Sequence, residues 1–262
     1  MFYKIPFFVG NLLACVVPGS RRRMYTRAYV NRVLFYPIIC RFIRREFGVR
    51  VRSIKFIRQI TLGRIVFLVN GEYYVKVFRD VSNLRLRDYA FLVRYVQREF
   101  AAKASVRNIS IPDVVVAAHA PMYASPRVAG RHLNTFAPDV ILENQDKIKT
   151  QAFAIIDALT SIDANKIPNK ERFATSMQSH SAEKPYVPGE FSPTPPNHPV
   201  LAHFDLNRTN CLFDDDLNIV SVIDWDGLSI AKNPDSDKHI FMKYWLPFIE
   251  KQKQAVSAEK HA

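Results

Sequence analysis

The sequence predicts an α+β chain, and three observations carry that prediction. Short alternating apolar stretches follow one another over residues 51–78, separated by the turn signals Thr61-Leu62-Gly63 and Asn70-Gly71. Apolar residues then recur at helical spacing over 83–102 and 146–163. Residues 200–226 finally read as two apolar runs that bracket a polar turn, and each run ends in an acid. Strands gathered early and helices gathered later are the signature of this fold class.

At 262 residues the chain can hold one large domain or two small lobes. Its 48% apolar and 12% aromatic content is that of a globular protein with a sizeable core rather than a disordered one. Cys15, Cys40 and Cys211 have no metal-binding or disulfide spacing, which fits a reducing compartment. The formal charge of +13 is unevenly spread. Residues 1–58 hold thirteen Lys and Arg against the single acid Glu46, so nearly all of the excess lies there.

That segment begins with an apolar run over 5–17, interrupted by Gly10 and Asn11. Thirteen residues are too few to span a bilayer as a helix, which takes about 20. Pro18-Gly19-Ser20 and three arginines follow. Over 25–47, Val30, Val33, Leu34, Ile38, Ile39, Phe42 and Ile43 recur at helical spacing, with arginines at 27, 32, 41, 44 and 45 between them. The preferred reading is a helix on an anionic membrane surface, apolar face inserted and arginines on head groups. Pro37 is expected to kink or divide it. An extra helix packed on the small lobe, an arm for nucleic acid or an acidic partner, and an export signal are the alternatives. No nucleic-acid module accompanies the arginines, and Arg21-Arg22-Arg23 directly after the apolar run opposes export.

The chemistry concentrates at His203, Asp205 and Asn210, spaced H-x-D-x-x-x-x-N, followed by Asp224-Trp225-Asp226. Phosphoryl transfer from ATP needs one carboxylate to orient a hydroxyl and oxygen ligands to hold Mg²⁺ on the phosphates. Asp205 suits the first task, and Asn210 and Asp224 suit the second. Residues 211–213 and 219–223 read as strands joined by the acidic turn Asp214-Asp215-Asp216, a hairpin that carries Asn210 and Asp224 to one end of the sheet.

These residues resemble the kinase-like phosphotransferases: aminoglycoside phosphotransferases, choline kinases and related small-molecule kinases. The family loop commonly reads H-G/N-D-x-x-x-x-N with a D-W-E/D motif after it; this chain departs in having Phe204 after the histidine. The resemblance covers roughly residues 55–245 and implies a two-lobed protein-kinase-like fold. Its expected divisions are an N-terminal segment 1–50, a small lobe 51–125, a large lobe 126–250 and a tail 251–262 that frays. It implies ATP and Mg²⁺ as cofactors. Lys76, in the third strand, becomes the lysine that pairs with the α- and β-phosphates, and Asp88 the acid that orients it, with Glu99 as fallback. Gly63 marks a thin phosphate turn, with one glycine where richer loops have several.

The resemblance extends to a strand over 111–116, to 122–130 as a hinge that offers backbone groups to adenine, and to Gly130 as the start of the large lobe. Residues 164–199 lack helix signals and could act as a lid or a disordered insertion. Asp237, in Asn233-Pro234-Asp235-Ser236-Asp237, is expected to hold the catalytic loop by hydrogen bonds, and His203 to brace it. A short helix over 238–249 follows.

The implied function is an ATP-dependent phosphotransferase acting on a hydroxyl of a small molecule, sugar or glycolipid. The protein would be cytoplasmic, with a peripheral place on the inner membrane face. The opening of the chain is similar to those of some lipopolysaccharide and capsule enzymes, which points to that chemistry. A catalytically inactive kinase-like module is the rival reading. A protein kinase is disfavoured because the loop lacks H-R-D-L-K and the metal motif is DWD rather than DFG.

Overall fold

The structure, a computed structural model, describes residues 20–61, 64–170, 199–231 and 233–259, together with Val9, Leu12 and Leu13. Gly63, most of the apolar run 5–17 and the proline-rich stretch 171–198 lie outside the described residues. The chain divides into two compact units, residues 1–90 with 113–127, and 91–112 with 128–262.

Unit 1 is an antiparallel sheet backed by a helix. Strands β1 (Ile54–Thr61), β2 (Arg64–Val69), β3 (Tyr73–Phe78), β4 (Val115–Val116) and β5 (Met122–Pro126) lie in the order β1-β2-β3-β5-β4. Asn70 and Gly71 join β2 to β3 with φ of 53° and 75°, the left-handed pair that a tight hairpin turn requires. The Asn70 side chain also ties down the chain ahead of β1. Its Oδ1 accepts from the Arg52 and Ser53 amides at 2.8 and 3.1 Å, and its Nδ2 donates to the Arg50 carbonyl at 2.9 Å. Beyond the predicted strand over 111–116, only Val115 and Val116 pair with β5; Ile111 and Pro112 belong to the other unit.

Helix α1 (Ser20–Phe47) continues through Pro37 as one element. Phe35, Ile39, Phe42 and Ile43 are buried in one core cluster with Ile65, Phe67, Val69, Val75 and Val77 of the sheet. The helix is therefore packed on the small unit, and this corrects the preference for an inserted amphipathic helix. Of the seven apolar residues assigned to a lipid face, Ile39, Phe42 and Ile43 are buried, and Val30, Leu34 and Ile38 are half-buried. Only Val33 is exposed, at 49%. The physical reason is plain: an apolar stripe specifies an apolar partner, and the back of the five-stranded sheet satisfies it as well as lipid does. Among the described residues, no helix is long and apolar enough to cross a membrane.

Unit 2 joins small sheets to helices. Helix α2 (Asn83–Ala101) begins in unit 1 and ends in unit 2, the division falling after Ala90. Strand β6 (Arg131–His132) pairs with β8 (Cys211–Phe213), which pairs with β9 (Ile219–Val222). Separately, β7 (Val200–Ala202) pairs with β10 (Ser229–Ala231). Helices α3 (Pro138–Glu143) and α4 (Gln145–Thr160) pack with α5 (Ser236–Glu259). As the periodicity predicts, Ile148, Ala152, Ile155, Ile156 and Leu159 form the buried face of α4. Helix α5 runs well past the expected 238–249. The charged tail is helical to Glu259, its face supported by a Lys253–Glu250 contact at 2.7 Å.

Helix α4 also clamps the β8–β9 turn. Gln151 accepts from the Ile219 amide at 2.8 Å and donates to the Leu217 carbonyl at 3.1 Å, and Lys147 donates to the Asp216 carbonyl at 2.6 Å. Within the turn, Asp214 accepts from the backbone and side chain of Asn218, and these bonds hold its carboxyl below the usual range. Asp214 is thus structural.

Because Phe35 is fully buried between α1 and the sheet, Phe35→Ala is expected to cost about 3–5 kcal/mol in denaturant unfolding. Val33→Ala, two residues away on the exposed face, should stay within about 0.5 kcal/mol. Equal effects would mean that the helix is not docked as described.

Candidate active site

The loop from β7 to β8 carries His203, Asp205 and Asn210. Its backbone is fixed from below by Asp237, in the first turn of α5. The Asp237 carboxylate accepts from the His203 amide at 2.6 Å and from the Phe204 amide at 2.8 Å. Lys238, the next residue, reaches Asp157 of α4 at 2.7 Å and so secures this end of the helix. Asp237 is wholly buried, and burial pushes its carboxyl up to about 6 despite the two backbone donors, with the charge of nearby Asp205 acting in the same direction as burial.

His203 has no exposed surface. Its ring lies 4.6 Å from that of Trp225, its Nε2 is 3.2 Å from the Ile223 carbonyl, and its Nδ1 accepts from the Asp205 amide at 3.3 Å. That pattern places the imidazole proton on Nε2. The buried ring positions the loop.

Phe204 has φ of 60°, in the left-handed region. That conformation explains why Gly or Asn suits this position, since a side chain there costs about 1 kcal/mol or more. The ring recovers part of that cost by packing on Val200, Ala202 and Ala231. Gly227 approaches the same point from the other side: a Cβ there would lie 2.5 Å from the His203 carbonyl oxygen.

Asp205 is held by two asparagines. Asn207 Nδ2 donates to its Oδ1 at 2.9 Å, and Asn210 Nδ2 donates to its Oδ2 at 2.9 Å and to its carbonyl at 2.8 Å. Thr209 in turn donates to Asn207 Oδ1 through both its amide and its hydroxyl. Asn210 therefore spends its amide hydrogens on Asp205, and its carbonyl oxygen Oδ1 takes no part in that clamp. The Ile223 amide donates to the Asn210 carbonyl at 2.8 Å, which sets Asp224 beside the loop. Asp224 itself has φ of 61° and opens the short turn Trp225–Gly227, in which Asp226 is half-buried. Trp225 anchors that turn through Nε1 to the Val222 carbonyl at 2.8 Å.

The structure thus brings His203, Asp205, Asn210, Asp224 and Asp237 together in unit 2. Lys76 and Asp88 both fall in unit 1, each only 9% exposed. Lys76 pairs across the sheet with Val66 and Tyr123, and its ammonium lies 5.6 Å over the Tyr123 ring. Glu99 falls in unit 2, where its charge acts on Lys103. Asn207 and Gly227 escaped the sequence reading. An asparagine in a polar loop and a glycine after an acidic motif carry no signal of their own; only the close approach of the loop reveals them.

No protein-family model matches the sequence, and none of the curated proteins matches it. Solved structures do. The GDP complex of wild-type aminoglycoside 2'-phosphotransferase-IIIa aligns at 15% identity with a TM-score of 0.51, over 84% of this chain and 81% of that one. The streptomycin–ATP complex of APH(2")-IIa aligns at 16% identity with a TM-score of 0.50, over 83% and 81%. The chain has the α+β, kinase-like fold of the aminoglycoside phosphotransferases.

Two outcomes follow from the loop. Gly227→Ala should displace the His203 carbonyl and lower the melting temperature, measured by calorimetry. The raised carboxyl of Asp237 binds its proton more tightly in the folded chain than in the unfolded one. Its contribution is therefore full below about pH 4, falls as pH rises to about 6 and is flat above. Asp237→Asn should remove that slope from a stability–pH profile while lowering stability at neutral pH, because an amide nitrogen then faces a backbone donor.

Proposed function

We propose that the chain is an ATP-dependent phosphotransferase that moves the γ-phosphoryl group onto a hydroxyl of a small molecule. The observation that carries this reading is the double amide clamp on Asp205, with Asn210 and Asp224 joined to it through the β8–β9 pairing. A carboxylate held in one orientation beside two oxygen ligands is what positioning of a hydroxyl against a metal-bound phosphate requires.

The donor set fits Mg²⁺. Among the described residues, no cluster of three or more His, Cys, Asp or Glu side chains is placed to hold a metal. Mg²⁺ usually takes one or two carboxylates and completes its shell with phosphate oxygens and water. Asp224 and the free carbonyl oxygen of Asn210 would hold it, and the ion would supply charge neutralisation on the phosphates. Asp205 accepts the hydrogen bond of the acceptor hydroxyl and aims its oxygen at the γ-phosphorus. As that P–O bond forms, the bond to the bridging oxygen breaks, ADP leaves, and Asp205 takes up the proton. Lys76 is assigned the α- and β-phosphates, with Asp88 as its partner. Gly63 is assigned the phosphate turn. His203 and Asp237 hold the loop.

The proposed acceptor is a sugar or glycolipid. A peripheral place on an anionic membrane rests on the arginines Arg41, Arg44 and Arg45, which lie on the exposed side of α1. Flotation with anionic vesicles at low salt tests that location, and a chain that stays soluble removes it.

The activity is tested first by thermal unfolding with and without Mg²⁺–ATP. Wild type should gain stability that Asp224→Ala does not. Asp205→Asn should keep the nucleotide-dependent gain while phosphoryl transfer falls by about 10²–10⁴. An inactive module would show no metal-dependent gain, and its cellular role would tolerate Asp205→Asn.

A further inference from the structure

Unit 2 contains a cavity of about 450 Å³ against the loop that holds Asp205. Three separate parts of the chain form its wall. His132 and Asn134 come from β6 and the turn after it, Arg208 and Thr209 from between Asp205 and Asn210, and Phe248 and Lys251 from α5. The pairing of His132 with Leu212 places the first of these beside the strand that starts directly after Asn210. Phe248 and Lys251 are three residues apart in a helix and so share a face.

Among the described residues the wall has one sign of charge: Arg208 and Lys251 are cations, and no acidic side chain lines the cavity. The Arg208 guanidinium lies 4.3 Å over the Phe248 ring, a stacking that suits its flat cation and fixes its direction. Its Nε is buried and has no hydrogen-bond partner among the described residues. Burial without a partner is costly for a donor on a charged group.

We propose that this cavity receives the acceptor, and that the acceptor is an anionic polyol bearing a carboxylate or a phosphate near the hydroxyl that is phosphorylated. The inference rests on the phosphotransferase reading above. Arg208 takes the anion through its planar fork, and Lys251 adds a second positive charge at the rim. The Thr209 hydroxyl, its proton spent on Asn207, offers an acceptor, and the Asn134 amide offers both a donor and an acceptor to sugar hydroxyls. A polycationic aminoglycoside would meet the cations Arg208 and Lys251 here.

The test is calorimetric titration of the full chain with glucose, glucuronate, glucose 6-phosphate and kanamycin at low salt, with Mg²⁺–ATP binding measured alongside. Glucuronate or glucose 6-phosphate should bind at least about ten-fold tighter than glucose, and Arg208→Gln should erase that preference. Lys251→Gln, an exposed change that leaves the fold intact, should weaken the anion by roughly two- to five-fold. Which anion wins separates the carboxylate from the phosphate. Tighter binding of kanamycin, or anion affinities unmoved by both substitutions, overturns the proposal. Nucleotide binding with no anion preference removes this inference and leaves the phosphotransferase reading intact. Anion binding without nucleotide binding removes that reading, and the acceptor role with it.

Discussion

One buried carboxylate holds the candidate site in shape. Asp237 spends both oxygens on consecutive backbone amides, and those amides belong to the two residues before Asp205. Without them, nothing obliges Phe204 to remain left-handed, and the direction of Asp205 follows from that turn. The arrangement sets opposed forces against one another. Burial and the charge of Asp205 favour a protonated Asp237, while the amide donors and its place in the first turn of a helix favour the ionised form. At neutral pH the ionised form prevails, and the loop is gripped by a charge that water does not screen.

The remaining supports converge on the same few atoms. His203 is wedged between Trp225 and the Ile223 carbonyl, and Gly227 gives its missing side chain to the His203 carbonyl. Each contact joins the β7–β8 loop to the segment after β9, so Asp205 and Asp224, the carboxylates proposed to orient a hydroxyl and to bind metal, share one rigid frame. Such preorganisation is what electrostatic catalysis draws on.

Much of this was legible in the sequence, for physical reasons. Asn70-Gly71 announces a hairpin because few other pairs tolerate two left-handed residues, and the β8–β9 hairpin follows from apolar runs around an acidic turn. The spacing of His203, Asp205, Asn210 and Asp224 named the loop because chemistry fixes those intervals. What the sequence concealed was partnership. The stripe on α1 reads alike whether it meets lipid or a sheet, and only the fold shows Phe35 and Ile39 against Phe67 and Val75. The charged end of α5 looked unable to hold a helix, yet the helix runs on to Glu259. Phe204 stood out as a departure, but its backbone angle, which accounts for the departure, leaves no trace in the letters.

The pairing of β6 with β8 has a kinetic consequence. In unit 1 the first three strands are sequence neighbours joined by short turns, contacts that a chain can form in microseconds. Arg131 and Phe213 meet across roughly eighty residues of chain, a closure that must bear its entropy before any contact rewards it. The loop that carries Asp205 lies inside that closure. The first three strands of unit 1 can therefore form early, whereas the loop that carries Asp205 is closed only by a long-range pairing.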